Sequence, residues 1–516
     1  MTSPAPLLPS LAAGTTVFER VRARVLADPV RDRMLSWLAP ALLVMLSGAL
    51  RLWNLGHPHE IMFDETYYVK DAWAVWSLGY EGTWQDGANE AFARGDDSGL
   101  QTTGSFVVHP PLGKWIIALG MALGGPSSSF GWRVTTAVLG TLTVLLAYLV
   151  ARELTRSRVA ASLAGFLLAI DGLGIVMSRI ALLDGALTFL LVLGLLFLLY
   201  DRRRTLPRLA TERGSPQRLT GPVLWARPWL VAAGVALGAA SAVKWSGLYA
   251  LAVWGLYTVV TDALARRRAG VVLWPTDAVF RQGPLSFVLL VVPAAATYLL
   301  SWTGWLVTTG GYDRGSDPNP LVSLWKYHEA VYAFHVSLSS GHPYASPAWQ
   351  WPLLLRPTAI WVGDEQGGCG ANHCIAVISS VPNPLLWYAG VAAALYLLYR
   401  CARGLIERTA VPAAVTVPLV GLAATYLPWL LYPARTIFQF YTVAMLPFLL
   451  LALAVALRDL AGSPAAPLPR RQAGQRTVAV FLVLAAAVSA FFYPVWTGMS
   501  VPYPFWLIHN WLPGWI

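Results

Sequence analysis

Apolar and polar positions along this chain come in long blocks, without the short-period interleaving of a soluble helix or strand. Eleven apolar stretches, at about 35–55, 131–151, 158–176, 181–200, 228–243, 245–262, 284–306, 385–401, 411–431, 435–457 and 477–495, approach the roughly 20 residues that a helix needs to cross a bilayer. A twelfth, 112–125, is shorter; it carries Lys114 near its start and ends in Gly124-Gly125-Pro126. The blocks predict an all-α polytopic membrane protein of about 11 transmembrane helices.

Arginine decides the topology, because loops on the cytoplasmic side are enriched in Lys and Arg. If 112–125 spans, Arg152, Arg156 and Arg158 face outward with Arg202, Arg203 and Arg204; if it lies on the surface, every Arg-rich loop falls inside. On the second reading the inner segments hold 26 of the 37 basic residues and 10 of the 26 acidic ones. The expected layout is a cytoplasmic N-terminal segment (1–34), a first membrane module (35–306) with an outer loop at 56–130, a second outer loop (307–384), and a last module (385–516) ending outside. Segment 201–227, without apolar periodicity, reads as a linker, and the Trp- and Pro-rich tail from Tyr493 to Trp515 reads as interfacial. Asn319-Pro320 predicts a helix start, with Leu321, Leu324, Trp325, His328, Val331, Tyr332 and His335 on one face resting on the membrane or the bundle.

Composition agrees. Apolar residues make up 56% and charged residues 12%, where soluble domains carry about 25% charged residues. The net charge of +11 is distributed as in a membrane protein and does not indicate nucleic acid. Three cysteines exclude a disulfide scaffold; Cys369 and Cys374, five apart in an outer loop, are expected to bridge, whereas Cys401 lies at the inner face. No small-residue cleavage site follows the first apolar run, so it reads as an uncleaved anchor.

All four lysines (Lys70, Lys114, Lys244, Lys326) fall on the outer side, as do the other polar clusters. Asp64 and Glu65 open the first outer loop. A carboxylate there suits a general base toward a hydroxyl; the competing reading is an acidic first helical turn. His109-Pro110-Pro111 fixes an extended approach to a helix that begins near Leu112, where Lys114 and free N–H groups suit an anionic headgroup. Arg133, Lys244 and Arg435 sit at outer helix ends and are candidates to hold a phosphate, with Lys114 as a fourth. Arg179 and Asp184 read as a buried structural pair. The spacing of His328, His335 and His342 suits hydrogen bonding better than zinc, and no metal or other cofactor is expected.

At this point the chain resembles the protein O-mannosyltransferases, polytopic enzymes of the GT-C glycosyltransferase class. The resemblance is carried by F-D-E-T-Y-Y-V-K-D-A (63–72), H-P-P-L-G-K-W (109–115), S-R-I-A-L-L-D (178–184), V-K-W-S-G-L (243–248) and H-P-Y-A-S-P-A-W-Q-W-P-L-L (342–354), in order and at fitting topological positions. It implies a GT-C fold, polyprenyl-phosphate mannose as donor, and a Ser or Thr of a secreted or membrane protein as acceptor. It also implies inversion from β to α, a plasma-membrane location with an extracytoplasmic site, and membrane lipids and the secretion machinery as neighbours. The family's essential acidic pair falls on Asp64 and Glu65, with the Asp as base, and its arginine after the first loop falls on Arg133. His109 and His342 lie in matching motifs. The 307–384 loop is too short for the β-trefoil domain that eukaryotic members carry there. A GT-C transferase acting on a lipid or polysaccharide is the alternative. A transporter or flippase is disfavoured, because charges gather at outer helix ends and no internal repeat is evident.

Overall fold

The computed structural model describes residues 14–210, 218–363 and 368–516. The eleven expected stretches all fall on helices. Among the described residues, eight helices are long and apolar enough to cross a membrane: Pro29–Leu52, Ser129–Thr155, Leu183–Leu209, Ser246–Arg268, Trp274–Ser301, Pro384–Ile406, Ala413–Leu431 and Leu468–Thr497. The other three stretches hold shorter helices, Arg158–Ile170, Pro228–Val243 and Leu446–Leu460. These short helices are well buried. In Leu446–Leu460 eleven of fifteen residues are buried, as expected of a helix that is apolar all round.

Local sequence starts these helices where predicted. Ser128 and Ser157 accept from the backbone N–H of Gly131 and Ala160, satisfying donors that a first helical turn leaves open. In the second loop Asn319 accepts from the Leu321 N–H at 3.0 Å, and Pro320 opens the helix Pro320–Ser337. The buried side of that helix is Ser323, Leu324, Tyr327 and Val331. Leu321, Trp325 and Tyr332, on the face expected to rest on the membrane or the bundle, are mostly free of protein contact, because the helix docks on Trp302 and Trp305 through Tyr327.

Four expectations are corrected. The 112–125 stretch does not merely lie on a surface. It forms Leu112–Gly124, docked against the helices that start at Glu65 and Ser129. Glycines allow the approach: a Cβ on Gly120 would lie 2.5 Å from the Gly131 carbonyl oxygen. At 13 residues it is about 20 Å long, short of a bilayer's ~30 Å core.

The protein is not purely helical. Gly82–Trp84 pairs antiparallel with Leu100–Gly104, and a second antiparallel sheet runs Ala359–Gly363, Cys374–Ser379, Ser500–Pro502. The tail therefore folds back on the protein. Cys374 stands opposite Pro502, the His509 ring stacks on Phe491 at 4.0 Å, and Trp515 donates to the Leu354 carbonyl. The described end of the presumed linker is also anchored. Gly221 and Leu224 donate to Asp277 and Gln282, and Arg227 is shared between Asp201 and Asp262; residues 211–217 lie outside the described part.

Pro228–Val243 and the helix Gly283–Ser301 pack backbone to backbone. Modelling a side chain at Gly234 puts its Cβ 2.3 Å from the Leu290 carbonyl oxygen, so neither helix can yield locally. Gly234→Val is expected to cost about 1–3 kcal/mol by overpacking, read as a lower thermal midpoint of the purified protein.

Candidate active site

Asp64 stands at the N-terminus of the helix Glu65–Leu78, behind a strained residue. Phe63 has φ 49°, the left-handed region that non-glycine residues rarely occupy and that clusters at functional sites. Its ring is held edge-on by Phe438 and Phe440 at 6.0 and 5.6 Å. Asp64 itself is in the right-handed helical region, and its side chain caps nothing. Among the described residues it has no hydrogen-bond partner. Burial pushes its carboxyl up to about 6, against the pull of Lys244 and with a further push from Asp184. A half-buried carboxylate without a partner, poised near neutral pH, suits proton abstraction.

Its neighbour is built differently. Glu65 is fully buried and meets Arg133 in a two-pronged pair, Nε to Oε1 and Nη2 to Oε2, both at 2.8 Å. Its oxygens also accept from the backbone N–H groups of Ala181 at 2.9 Å and Met62 at 3.3 Å. Arg133 spends its remaining donors on the carbonyls of Leu55, Pro58 and Glu60. The expectations for both residues are therefore corrected. Glu65 has no free lone pair for a substrate, and Arg133, at 0% exposure, has no N–H left for a phosphate. Together they position the loop that carries Asp64.

Lys114 is likewise committed. It donates to Glu81 at 2.6 Å and to the His109 carbonyl at 2.9 Å, with Asp71 at 3.9 Å. It ties the His-Pro-Pro turn to Glu81 and does not line the cavity at Lys244 and Arg435. Asp71, squeezed beside Glu81 and Lys114, is pushed up to about 7 by burial. Arg179 does not pair with Asp184; it donates to the carbonyls of Arg51, Trp53 and Asn54 and holds the entry to the first loop. Asp184 pairs with Lys244, at 2.9 and 3.1 Å.

Lys244 and Arg435 both line one cavity, of about 740 Å³. Its deeper wall is small and apolar, with Gly238, Leu251, Val291, Ala294 and Ala295, and its upper rim is polar, with Lys244, Arg435, His109, His335 and Tyr432. The Lys244 ammonium lies 4.0 Å from the centre of the Tyr441 ring. Arg435 covers Trp429 and donates through Nη2 to His335 Nδ1 at 3.0 Å, leaving a buried Nε–H without an acceptor. That bond fixes the tautomer: His335 Nε2–H donates to the Val108 carbonyl. Burial and then Arg435 pull the imidazole down to about 4. His109 faces His335, and its buried Nδ1 has no partner. Burial and then Lys244 hold it well below the ordinary histidine range. The site is thus a neutral-histidine wall with two cations at its lip. His328 is bound by Leu324 and Tyr298, and His342 packs on Phe438 outside the cavity. Cys369 and Cys374 are joined in a disulfide away from it.

Tyr441 and Tyr298 escaped notice in the sequence because aromatic residues are common throughout the chain. The one available signal was that Tyr441 adjoins polar positions in an otherwise apolar run.

The model for dolichyl-phosphate-mannose-protein mannosyltransferases matches residues 126–305, and that for the C-terminal four-span region of protein O-mannosyltransferases matches 320–515. A polyprenol-phosphate-mannose–protein mannosyltransferase of Mycolicibacterium smegmatis (strain MKD8) is 34% identical, with 94% of each chain covered. The chain belongs to the protein O-mannosyltransferase family. A family member of Corynebacterium glutamicum with the same name is 30% identical over 88% of each chain. In fold, the chain is similar to the Saccharomyces cerevisiae protein O-mannosyltransferase Pmt1-Pmt2 complex bound to the sugar donor, with a TM-score of 0.71 at 16% identity, covering 93% of this chain and 92% of that one.

Within this family member, the roles of Glu65 and Arg133 are separable by a double-mutant cycle. Glu65→Gln or Arg133→Met alone strands a buried charge, at an expected cost of about 3–5 kcal/mol. The double variant should lose clearly less than the sum of the two in chemical or thermal unfolding.

Proposed function

We propose that the protein transfers mannose from polyprenyl-phosphate mannose to Ser or Thr hydroxyls of secreted or membrane proteins, at the extracytoplasmic face of the plasma membrane. The carrying observation is an unpartnered carboxylate, Asp64, electrostatically coupled to Lys244, which lines a cavity that is apolar in its depth and cationic at its lip. That is the shape a lipid phosphate requires: chain in the apolar part, phosphate between Lys244 and Arg435. Arginine-rich loops on the opposite side support a cytoplasmic N-terminus, eleven spans and an outer C-terminus.

In this reading the acceptor hydroxyl gives its proton to Asp64 while its oxygen bonds to the anomeric carbon. The bond from that carbon to the phosphate oxygen breaks, and polyprenyl phosphate leaves. Attack on the face opposite the leaving group inverts the centre from β to α. Lys244 and Arg435 meet the charge that grows on the phosphate, as preorganised donors do in an oxyanion hole. Asp184 holds Lys244 in place, His335 holds Arg435, and the neutral His109 offers hydrogen bonding without adding a charge. The donor is already activated as a phosphate ester, so the chemistry calls for no cofactor.

Three outcomes are expected with polyprenyl-phosphate mannose and a Ser/Thr-rich peptide. Asp64→Asn loses transfer by ~10²–10⁴ while its thermal midpoint is kept or raised, because the fold disfavours the ionised form that the wild type must hold. Equal transfer by both proteins defeats the base assignment. In wild type, kcat/KM falls tenfold per pH unit below about 6, since the base must be deprotonated and its folded value is raised to about 6. Arg435→Gln, which breaks no carboxylate pair, lowers kcat/KM by ~10²–10³ with little change in unfolding midpoint.

A further inference from the structure

The face opposite Asp64 carries a second built cavity that the transfer reaction does not use. It is a groove of about 1040 Å³ between the N-terminal helix Val17–Leu26 and the helices Pro29–Leu52, Arg158–Ile170 and Leu468–Thr497. Phe18, Leu35, Leu42, Phe166, Leu482 and Val483 are among its apolar walls. Four arginines (Arg22, Arg152, Arg156 and Arg158) stand along it with a single carboxylate, Asp32. That carboxylate is consumed: Arg158 grips both of its oxygens, one at 2.9 Å.

The remaining charge is unbalanced. Arg152 donates to the Arg156 carbonyl at 3.2 Å and forms no ion pair among the described residues, and neither does Arg22. Arg156 shares one carboxylate, Glu153, with Arg203, each at 3.1 Å. The positive field continues past Arg156, which also lines a recess of about 370 Å³ with Arg202, Arg203 and Arg268. There a buried N–H of Arg202 has no acceptor. The first turn of Arg158–Ile170 adds its dipole to the same spot, beside Val159.

We propose that this groove is a site for an anionic glycerophospholipid, with acyl chains along the apolar walls and the phosphodiester at Arg152, Arg156 and Arg22. The chemistry selects among lipids. A zwitterionic choline lipid would bring its own cation to a rim already in excess of positive charge, whereas an anionic headgroup supplies the missing counter-charge. The donor lipid has its own cavity at the other end of the bundle. Positions 133 and 152, on one continuous helix, are about 30 Å apart at 1.5 Å per residue. The bound lipid would fasten the N-terminal helix to the bundle, a contact now made by Arg471, which meets Glu19 and the Gly14 carbonyl.

The test is native mass spectrometry of the full-length protein in detergent, titrated separately with phosphatidylglycerol, phosphatidylcholine and polyprenyl phosphate. Phosphatidylglycerol is expected to be retained at least tenfold better than phosphatidylcholine. Arg152→Gln/Arg156→Gln, both at partly or largely exposed positions, should lower that retention roughly tenfold or more, the scale of two arginine contacts to a lipid phosphate. Lys244→Met should leave it unchanged. Equal retention of the two glycerolipids overturns the proposal, and so does an arginine double variant that folds with a wild-type thermal midpoint and still binds phosphatidylglycerol as wild type does. Displacement of phosphatidylglycerol by equimolar polyprenyl phosphate also overturns it, since the groove would then be a second station for the donor's lipid.

Discussion

The site depends on one buried ion pair. Glu65 and Arg133 come from segments 68 residues apart and meet in a dry interior, with every donor and acceptor between them used. A buried pair gains little over a hydrophobic replacement, because desolvation offsets attraction. Its effect here is geometric. Arg133 gathers three backbone carbonyls of the first loop around one guanidinium, and Glu65 ties the same loop to the backbone at Ala181. Between those clamps the chain has one way through, and Phe63 takes a left-handed conformation on that path. Asp64 is thereby delivered to a half-buried place where no hydrogen bond satisfies it. The cost of an unsatisfied carboxylate is borne by the fixed loop around it, and the raised proton affinity follows from that placement.

The acidic pair was legible in the sequence because two charges beside a membrane-spanning block are expensive. The division of labour between them was not. Adjacent side chains diverge, but only the arrival of Arg133 and the Ala181 backbone decides which is engaged and which stays free. The same limit applies to the cations. Sequence placed Arg133, Lys114, Lys244 and Arg435 on one side of the membrane, yet Arg133, Lys114 and Lys244 are each paired with a carboxylate distant in the chain, Glu65, Glu81 and Asp184. Counting charges by compartment cannot say which are already matched.

Helices were legible nearly throughout, because apolar blocks and caps such as Asn319 and Ser128 act locally. The strands were not. Three to six residues such as Ser500–Pro502 carry no period, and their pairing is set by where the second loop and the tail meet. Interfacial aromatics misled for a related reason: Trp and Tyr favour a membrane boundary, but they also pack well against protein, and Trp515 and the Tyr503–His509 stretch took the second option.

The two segments matched by separate family models, 126–305 and 320–515, meet at the cavity. The first contributes Lys244 and Trp245, and the second His335 and Arg435. Behind the cavity wall, Asp184 of the first and the turn Gln439–Ala444 of the second flank Lys244. That turn reaches both sides of the chemistry: Phe440 braces Phe63, just before the base, while Tyr441 lies under the Lys244 ammonium. A displacement of this one turn would therefore move the base's support and the phosphate cation together. Neither segment alone can hold the site: Lys244 comes from the first, Arg435, His335 and the aromatic brace from the second, and Asp64 and His109 from the loop that precedes both. The spacing of Asp64, Lys244 and Arg435 is thus set by how the first loop and the two segments pack together, because Phe440 braces the residue before Asp64 while Tyr441 lies against Lys244.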